Sequence, residues 1–199
     1  RLVTSTGLIE AGVLILAIGS SARDTFAMLR EVGVSMEPKP FQVGVRIEHP
    51  QTLIDRARYG ELAGHPKLGP ADYELVYRPA SRRLSPVHTF CMCPGGQVVP
   101  TVSEPGRLCL NGMSRRARDG RFGNSALVWT VRPEGDVWAG IRFQRELEER
   151  AFRLGGGDYT APAQRVTDFL KRRPSTGVIE SSFALGTRGT DLAGLFGRW

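Results

Sequence analysis

Two thiols one residue apart, Cys91 and Cys93, stand directly before Pro94, Gly95 and Gly96 in the stretch "FCMCPGG" at 90–96. On an extended strand, residues i and i+2 share a face, so this spacing predicts both sulfurs on one side of a sheet. A disulfide between them would be strained. Zinc would need two further ligands: His88 gives an H-x-x-C-x-C spacing that matches no strong signature, and His49 and His65 lie in separate segments. No metal site is expected. A buried structural thiol is the commonest fate of free cysteine, and a thiol facing a redox cofactor is the alternative with chemical content. The Pro-Gly-Gly that follows predicts a tight turn, with "QVVPTV" at 97–102 folding back as the second arm of a hairpin.

Three other stretches could do chemistry. In "VRIEHPQ" at 45–51, Glu48 and His49 could form an acid/base pair, and Arg46, opposite in facing to Val45 and Ile47, could meet an anionic ligand. In "LILAIGSSARDTF" at 14–26 an apolar strand ends in Ala17-Ile18-Gly19, then small and hydroxyl residues lead into a helix. Glycine there would let backbone approach a ligand closely, and the free N–H groups of a helix N-terminus favour anions. The plain reading is a strand-to-helix turn with Ser20 or Ser21 as N-cap. "LGGGDY" at 154–159 lacks the Gly-Lys-Ser/Thr of a phosphate loop and reads as a helix stop. No GxSxG, HExxH or EF-hand pattern occurs, so hydrolase readings have no support.

Composition narrows the classes further. Net charge is +7 with a pI near 9.9, yet only Lys39, Lys67 and Lys171 are lysines and the arginines are scattered. The one dense cluster, "SRRARDGRFGN" at 114–124, has a single aromatic ring, whereas single-strand binders interleave several rings with a basic groove. Nucleic acid is therefore not the expected partner. The longest apolar run, "VLILAI" at 13–18, is too short to cross a bilayer, and no membrane partner is expected. Three cysteines without a secretory signal favour a reducing compartment, with the cytoplasm the default. The chain has no initiator Met, which suggests a piece of something longer.

The elements that would position these groups give an α+β chain. Residues 1–34 read as a strand, a turn near Gly7, a buried parallel strand at Val13–Ile18 and a helix with Phe26, Leu29 and Val32 at helical spacing before Gly33, that is, a βα piece of an α/β domain. Residues 35–199 read as a second domain, a mixed sheet with flanking helices. An alternating strand at Phe41–Ile47 leads to a helix ending near Gly60. Strands follow in "DYELVYRP", "PVHTFCMC", "RLCLNGMS" and "SALVWTVRP", then helices at about 140–154 and in "APAQRVTDFLKRRP".

Several stretches together resemble one bacterial family, the FAD-dependent dehydrogenases also described as NAD(FAD)-utilising. They are "LAIGSSARDTFAML" (16–29), "KPFQVGVRIEHPQ" (39–51), "FCMCPGGQVV" (90–99), "SEPGRLCLNGMS" (103–114), "NSALVW" (124–129), "FQRELEERAFRLGGGDYTAPAQRVTDFL" (143–170) and "RPSTG" (173–177). The resemblance implies a fragment of a FAD-dependent oxidoreductase: a short part of its FAD-binding domain, then an inserted substrate or cap domain. Ala17, Gly19, Ser21 and Asp24 would lie at the edge of the cofactor domain, and Phe90 to Gly96, including Gly95 and Gly96, would face the flavin or the substrate. Cys91 and Cys93 would be the catalytic candidates, and Arg46 and His49 would anchor a small-molecule substrate. The implied cofactor is FAD, with NAD(P)H as a candidate electron partner. The opening GxGxxG and the closing Gly-rich segment of such proteins are not in this sequence, so the resemblance assigns FAD to the full-length protein rather than to this fragment, which alone would be inactive. A non-catalytic interaction domain with structural cysteines is the competing reading.

Overall fold

The computed structural model describes residues 1–81 and 84–196. The chain divides into two compact units, Arg1–Glu37 and Pro38–Trp199.

In the first unit, β1 (Leu2–Thr4) and β2 (Gly7–Ile9) form an antiparallel hairpin with Leu2 opposite Ile9. The turn is tied by the Thr4 hydroxyl, which donates to the Gly7 carbonyl at 2.9 Å. Helix α1 (Arg23–Glu31) follows. It ends as glycine spacing predicts: Gly33 takes φ 87, and the Val34 N–H donates back to the Leu29 carbonyl at 2.9 Å. Its N-cap is Ala22, with no side-chain cap bond, rather than Ser20 or Ser21. Val13–Ile18, expected as a buried parallel strand, joins no sheet among the described residues. Val13, Leu14, Ile15 and Leu16 are 82%, 56%, 85% and 50% exposed. A parallel strand needs partners along its edges and cover on both faces. The hairpin and helix of this unit supply neither.

The second unit is α+β. Its strands are β3 (Phe41–Pro50), β4 (Val76–Tyr77), β5 (Val87–Cys93), β6 (Gly96–Pro100), β7 (Leu110–Ser114), β8 (Phe122–Val131), β9 (Ala161–Ala163) and β10 (Thr187–Gly189). Its helices are α2 (Gln51–Tyr59), α3 (Ala139–Gly155), α4 (Val166–Leu170) and α5 (Ala193–Phe196). The main sheet has the order β3-β8-β5-β4 and is antiparallel throughout; the parallel pair β9–β10 stands apart from it.

The long ladder of β3 on β8 runs from Phe41 opposite Val131 to Pro50 opposite Phe122. Gly44 is required there, because a Cβ on it would fall 1.8 Å from the Leu127 carbonyl oxygen. Helix α2 stops where its sequence says, at Gly60 with φ 56. Helix α3 ends in a left-handed Gly156, with the Gly157 N–H returning to the Phe152 carbonyl, so "LGGGDY" is a helix stop. The apolar core is small: Val98, Leu108, Ala161 and Phe183, with Leu110, Ala151, Phe152 and Tyr159 against it.

The expected hairpin across Pro94–Gly96 is not formed. Strand β6 pairs with β7, Gly96 opposite Ser114, and not with β5. The Pro94-Gly95 turn is fastened elsewhere: the Gly95 N–H donates to Gln51 Oε1 at 2.9 Å, and the Gly95 carbonyl accepts from the Gly120 N–H at 3.0 Å. With both groups engaged by other segments, the chain leaves the main sheet at this corner.

Candidate functional site

The site is built around an irregularity in β5. Phe90 lies opposite Ala126 on β8 and Cys93 opposite Asn124, so Cys91 and Met92 together face the single residue Ser125. This is a β-bulge. Cys91 takes φ 48, a left-handed conformation that a side chain bearing Cβ adopts at a cost. The extra residue also resets the alternation. Cys91 lines a cleft, while Cys93 joins the sheet face that carries Asn124 and Arg46. The two thiols therefore do not share one face, which is the correction the bulge makes to strict strand alternation. Neither is buried: Cys91 is exposed, Cys93 partly so, and all three cysteines are free thiols.

Arg46 fixes the bulge from β3. Its Nε donates to Asn124 Oδ1 at 2.9 Å, one Nη to Asn111 Oδ1 at 3.1 Å, and the other to the Cys91 carbonyl at 2.8 Å. Burial lowers the pKa of this guanidinium from its ordinary value, an effect opposed by the neighbouring Cys93 and Cys91 thiols. Gly112 of β7 lies directly over it: a Cβ there would stand 2.2 Å from Asn124 Oδ1 and 2.6 Å from an Arg46 Nη. The predicted anchor for an anion is thus engaged by three carbonyl oxygens of its own chain.

Glu48 and His49 do not come together. Glu48 shares the Arg46 face and accepts the Ser182 N–H at 3.0 and 3.1 Å and the Ser182 hydroxyl. His49 points to the other face, where its Nε2 lies 2.9 Å from the Tyr73 hydroxyl. Neighbours on a strand face opposite ways, so an adjacent acid/base pair could not form. Burial pushes the Tyr73 phenol above its ordinary pKa. Tyr73, Cys91, Thr89 and Phe90 line an open cleft of about 530 Å³, together with Arg58, Asp72, Glu74 and Met92.

Behind the bulge sits Gln51, the first residue of α2 and 5% exposed. Its Oε1 accepts from Gly95, and its Nε2 donates to Asp55 Oδ1 and to the Ala71 carbonyl, both at 2.8 Å. Asp55 Oδ1 also accepts the Ala71 N–H at 2.8 Å. One side chain thus ties the turn after the thiols to α2 and to the segment leading into Tyr73.

Sequence reasoning missed Tyr73, Gln51, Asn111 and Asn124. Asn124 carried the one usable signal, an Asn-Ser pair inside an otherwise apolar strand, where an unpartnered amide would be costly. The others lie in segments that meet the thiols only through the fold.

The remaining candidates do not make a phosphate cradle. Gly95 and Gly96 are tight because their own chain fills the space: a Cβ on Gly95 would fall 1.9 Å from the Arg118 carbonyl oxygen, and one on Gly96 2.7 Å from that of Met113. In the first unit Ala17 and Ser21 precede α1, and Gly19, at φ 72, is open on its Cβ side. Asp24, however, stands in the first turn of α1 and accepts the Thr25 N–H at 2.8 Å, placing a carboxylate where a pyrophosphate would need uncompensated N–H groups. The residues present do not fit the diphosphate of FAD. No cluster of three or more His, Cys, Asp or Glu able to hold a metal occurs among the described residues, and none of their helices is long and apolar enough to cross a membrane.

Residues 40–198 match the family model described as FAD-dependent protein, C-terminal domain-like. The chain belongs to that family. An uncharacterized protein of Clostridium beijerinckii (strain ATCC 51743 / NCIMB 8052) is 51% identical to it over 184 residues, 89% of this chain and 34% of the relative. The chain therefore spans about a third of the length of that curated relative.

Proposed function

We propose that this chain is the substrate-facing part of a FAD-dependent oxidoreductase, with the flavin held by other segments of a longer protein. The observation that carries the reading is the bulge at Cys91–Met92. A non-glycine residue in a left-handed conformation is kept at the mouth of an open cleft, with Arg46 on its carbonyl and Gln51 on the turn behind it. Strain held by several independent contacts is a mark of working sites. Membership of a FAD-dependent family supports placing that chemistry in a flavoprotein. In this reading Cys91 and Tyr73 meet a small-molecule substrate, His49 supports the Tyr73 hydroxyl, and Arg46 shapes the bulge. The flavin itself supplies electron-pair transfer when bound. NAD(P)H is the proposed electron partner, and the cytoplasm the proposed compartment.

The test is to purify the longer polypeptide that carries this region and measure released flavin per chain, then bleaching of its absorbance by NADH or NADPH under anaerobic conditions. One FAD per chain, reducible, is expected. A protein that is colourless and takes up no FAD on reconstitution overturns the reading.

A second reading, a domain that binds another protein, draws on one observation. Leu75, Val76, Tyr77 and Phe90, at the β4 edge of the main sheet and beside it, leave large apolar side chains exposed.

A further inference from the structure

Strand β4 ends the main sheet, and its outer edge carries a sequence that complements itself. The Leu75 backbone faces inward: its carbonyl accepts the Thr89 N–H of β5 at 2.9 Å, and its N–H donates to the Thr89 hydroxyl at 2.8 Å. The ladder continues with Val76 opposite His88 and Tyr77 opposite Val87. In an antiparallel ladder the backbone groups of successive residues turn to alternate sides. Glu74, Val76 and Arg78 therefore offer their N–H and C=O groups to the free edge, where β4 has no second neighbour among the described residues.

Sheet edges are ordinarily blunted, because an open ladder invites another strand. This edge is apolar instead: Leu75, Val76 and Tyr77 are 62%, 54% and 66% exposed. The charges that flank it, Glu74 and Arg78, have no ion-pair partner among the described residues. They are opposite in sign and stand symmetrically about Val76. A two-fold axis through Val76 sets Glu74 of one copy against Arg78 of the other, and Leu75 against Tyr77. The outward N–H and C=O groups of both strands then close into one ladder. Opposite charges and aromatic–aliphatic pairs are favourable when directly opposed across an antiparallel pair, whereas like charges there are destabilising. A two-fold contact needs a patch that is complementary to itself, and this charge order meets that condition.

We infer that the β4 edge is a self-association surface: a second copy of this chain adds its β4 antiparallel to the first, with Glu74 opposite Arg78 twice, and joins the two main sheets into one. Glu74 also lines the open cleft beside Cys91, so a second copy would bring its own Arg78 to the wall of that cleft. The inference rests on the second reading above, that this edge binds protein, and names the partner. It needs no flavin, so its failure leaves the flavoprotein reading untouched.

The test is sedimentation equilibrium of the chain over a range of concentrations. The contact spans only residues 74–78, at the small end of specific interfaces, so association is expected to be weak. The weight-average mass should climb from 21.8 kDa toward twice that value between roughly 1 and 500 µM. Glu74→Arg alone and Arg78→Glu alone should each weaken association at least about tenfold, since each sets like charges opposite one another twice. Both positions are exposed, so these variants should fold. An equimolar mixture of the two variants should associate as well as the unaltered chain, because every arginine again meets a glutamate; the double variant should do the same. A chain that stays monomeric to about 500 µM overturns the inference. So does a mixture no better than its components. Association that ignores both single reversals overturns this pairing while leaving the chain a protein binder, which separates the inference from the reading beneath it.

Discussion

Replacing Gln51 by alanine tests how the thiol-bearing corner is held. The change removes an acceptor from the Gly95 N–H and a donor from the Ala71 carbonyl, and it deprives Asp55 of one of its two N–H partners. Asp55 keeps the Ala71 N–H, so its carboxylate is not stranded. The Gly95 and Ala71 groups lie in buried positions, with Gln51 as their recorded partner among the described residues. Each buried group left unsatisfied costs about 1–3 kcal/mol. Allowing some relaxation, the two together predict a loss of about 2–4 kcal/mol. With a urea dependence of about 2 kcal/mol/M, the unfolding midpoint should fall by roughly 1–2 M. Gln51→Glu is the sharper control. It keeps an oxygen for Gly95 but removes both N–H donors and sets a second carboxylate against Asp55. It should be at least as damaging as alanine, although glutamate is nearly the size of glutamine. Urea unfolding followed by tryptophan fluorescence measures both variants. A Gln51→Glu protein as stable as wild type, or an alanine variant within about 0.5 kcal/mol of it, would refute the role given to this side chain.

Further predictions follow from the same geometry. Gly95→Ala forces φ 51 on a residue with a Cβ and drives that carbon to 1.9 Å from the Arg118 oxygen, so expression of folded protein should drop sharply; Gly19→Ala meets nothing within 4 Å and should cost only the backbone strain of about 1 kcal/mol. Asp168 is held below its ordinary carboxylate pKa by the Ser175 hydroxyl and then Arg173. Its contribution is therefore present above about pH 4 and lost as the pH falls through the lowered folded value. An acid melting series should show the loss, and Asp168→Asn should flatten it; an equal acid slope in both proteins would count against the assignment. The Tyr73 phenol, raised by burial, should give an ionisation step above its ordinary range in an alkaline titration read near 295 nm, and Tyr73→Phe should remove that step. Because the folded form keeps this proton longer, stability from the group is full below about pH 10 and declines above it. A high-pH step that Tyr73→Phe leaves unchanged would contradict the burial seen at Tyr73.

Much of the second unit was legible from sequence because its signals are local. The β3 alternation, the Gly60 and Gly156 helix stops and the helix at about 140–154 each depend on a few neighbouring residues, and the structure places them as read. The strand at Val13–Ile18 misled because a continuous apolar run states only that a segment would be stable if covered, not that a cover is present. The site itself was read in part. The Cys91, Cys93 and Arg46 residue types drew notice, but the bulge that separates the thiols has no glycine or asparagine to announce it. It follows from the β5–β8 register and from the Arg46 and Gln51 contacts. Likewise the His49–Tyr73 and Arg46–Asn124 pairs join residues 24 and 78 positions apart. No spacing rule reaches that far.

The most direct test joins the thiol-bearing bulge to the flavin. In the longer polypeptide proposed to hold the flavin, Cys93 is alkylated selectively and the visible absorbance spectrum is recorded before and after, with Cys93→Ser treated identically. A change in the flavin bands that tracks Cys93 modification and is missing from the Cys93→Ser protein is the predicted result. Stoichiometric modification of Cys93 with an unaltered flavin spectrum would contradict the account.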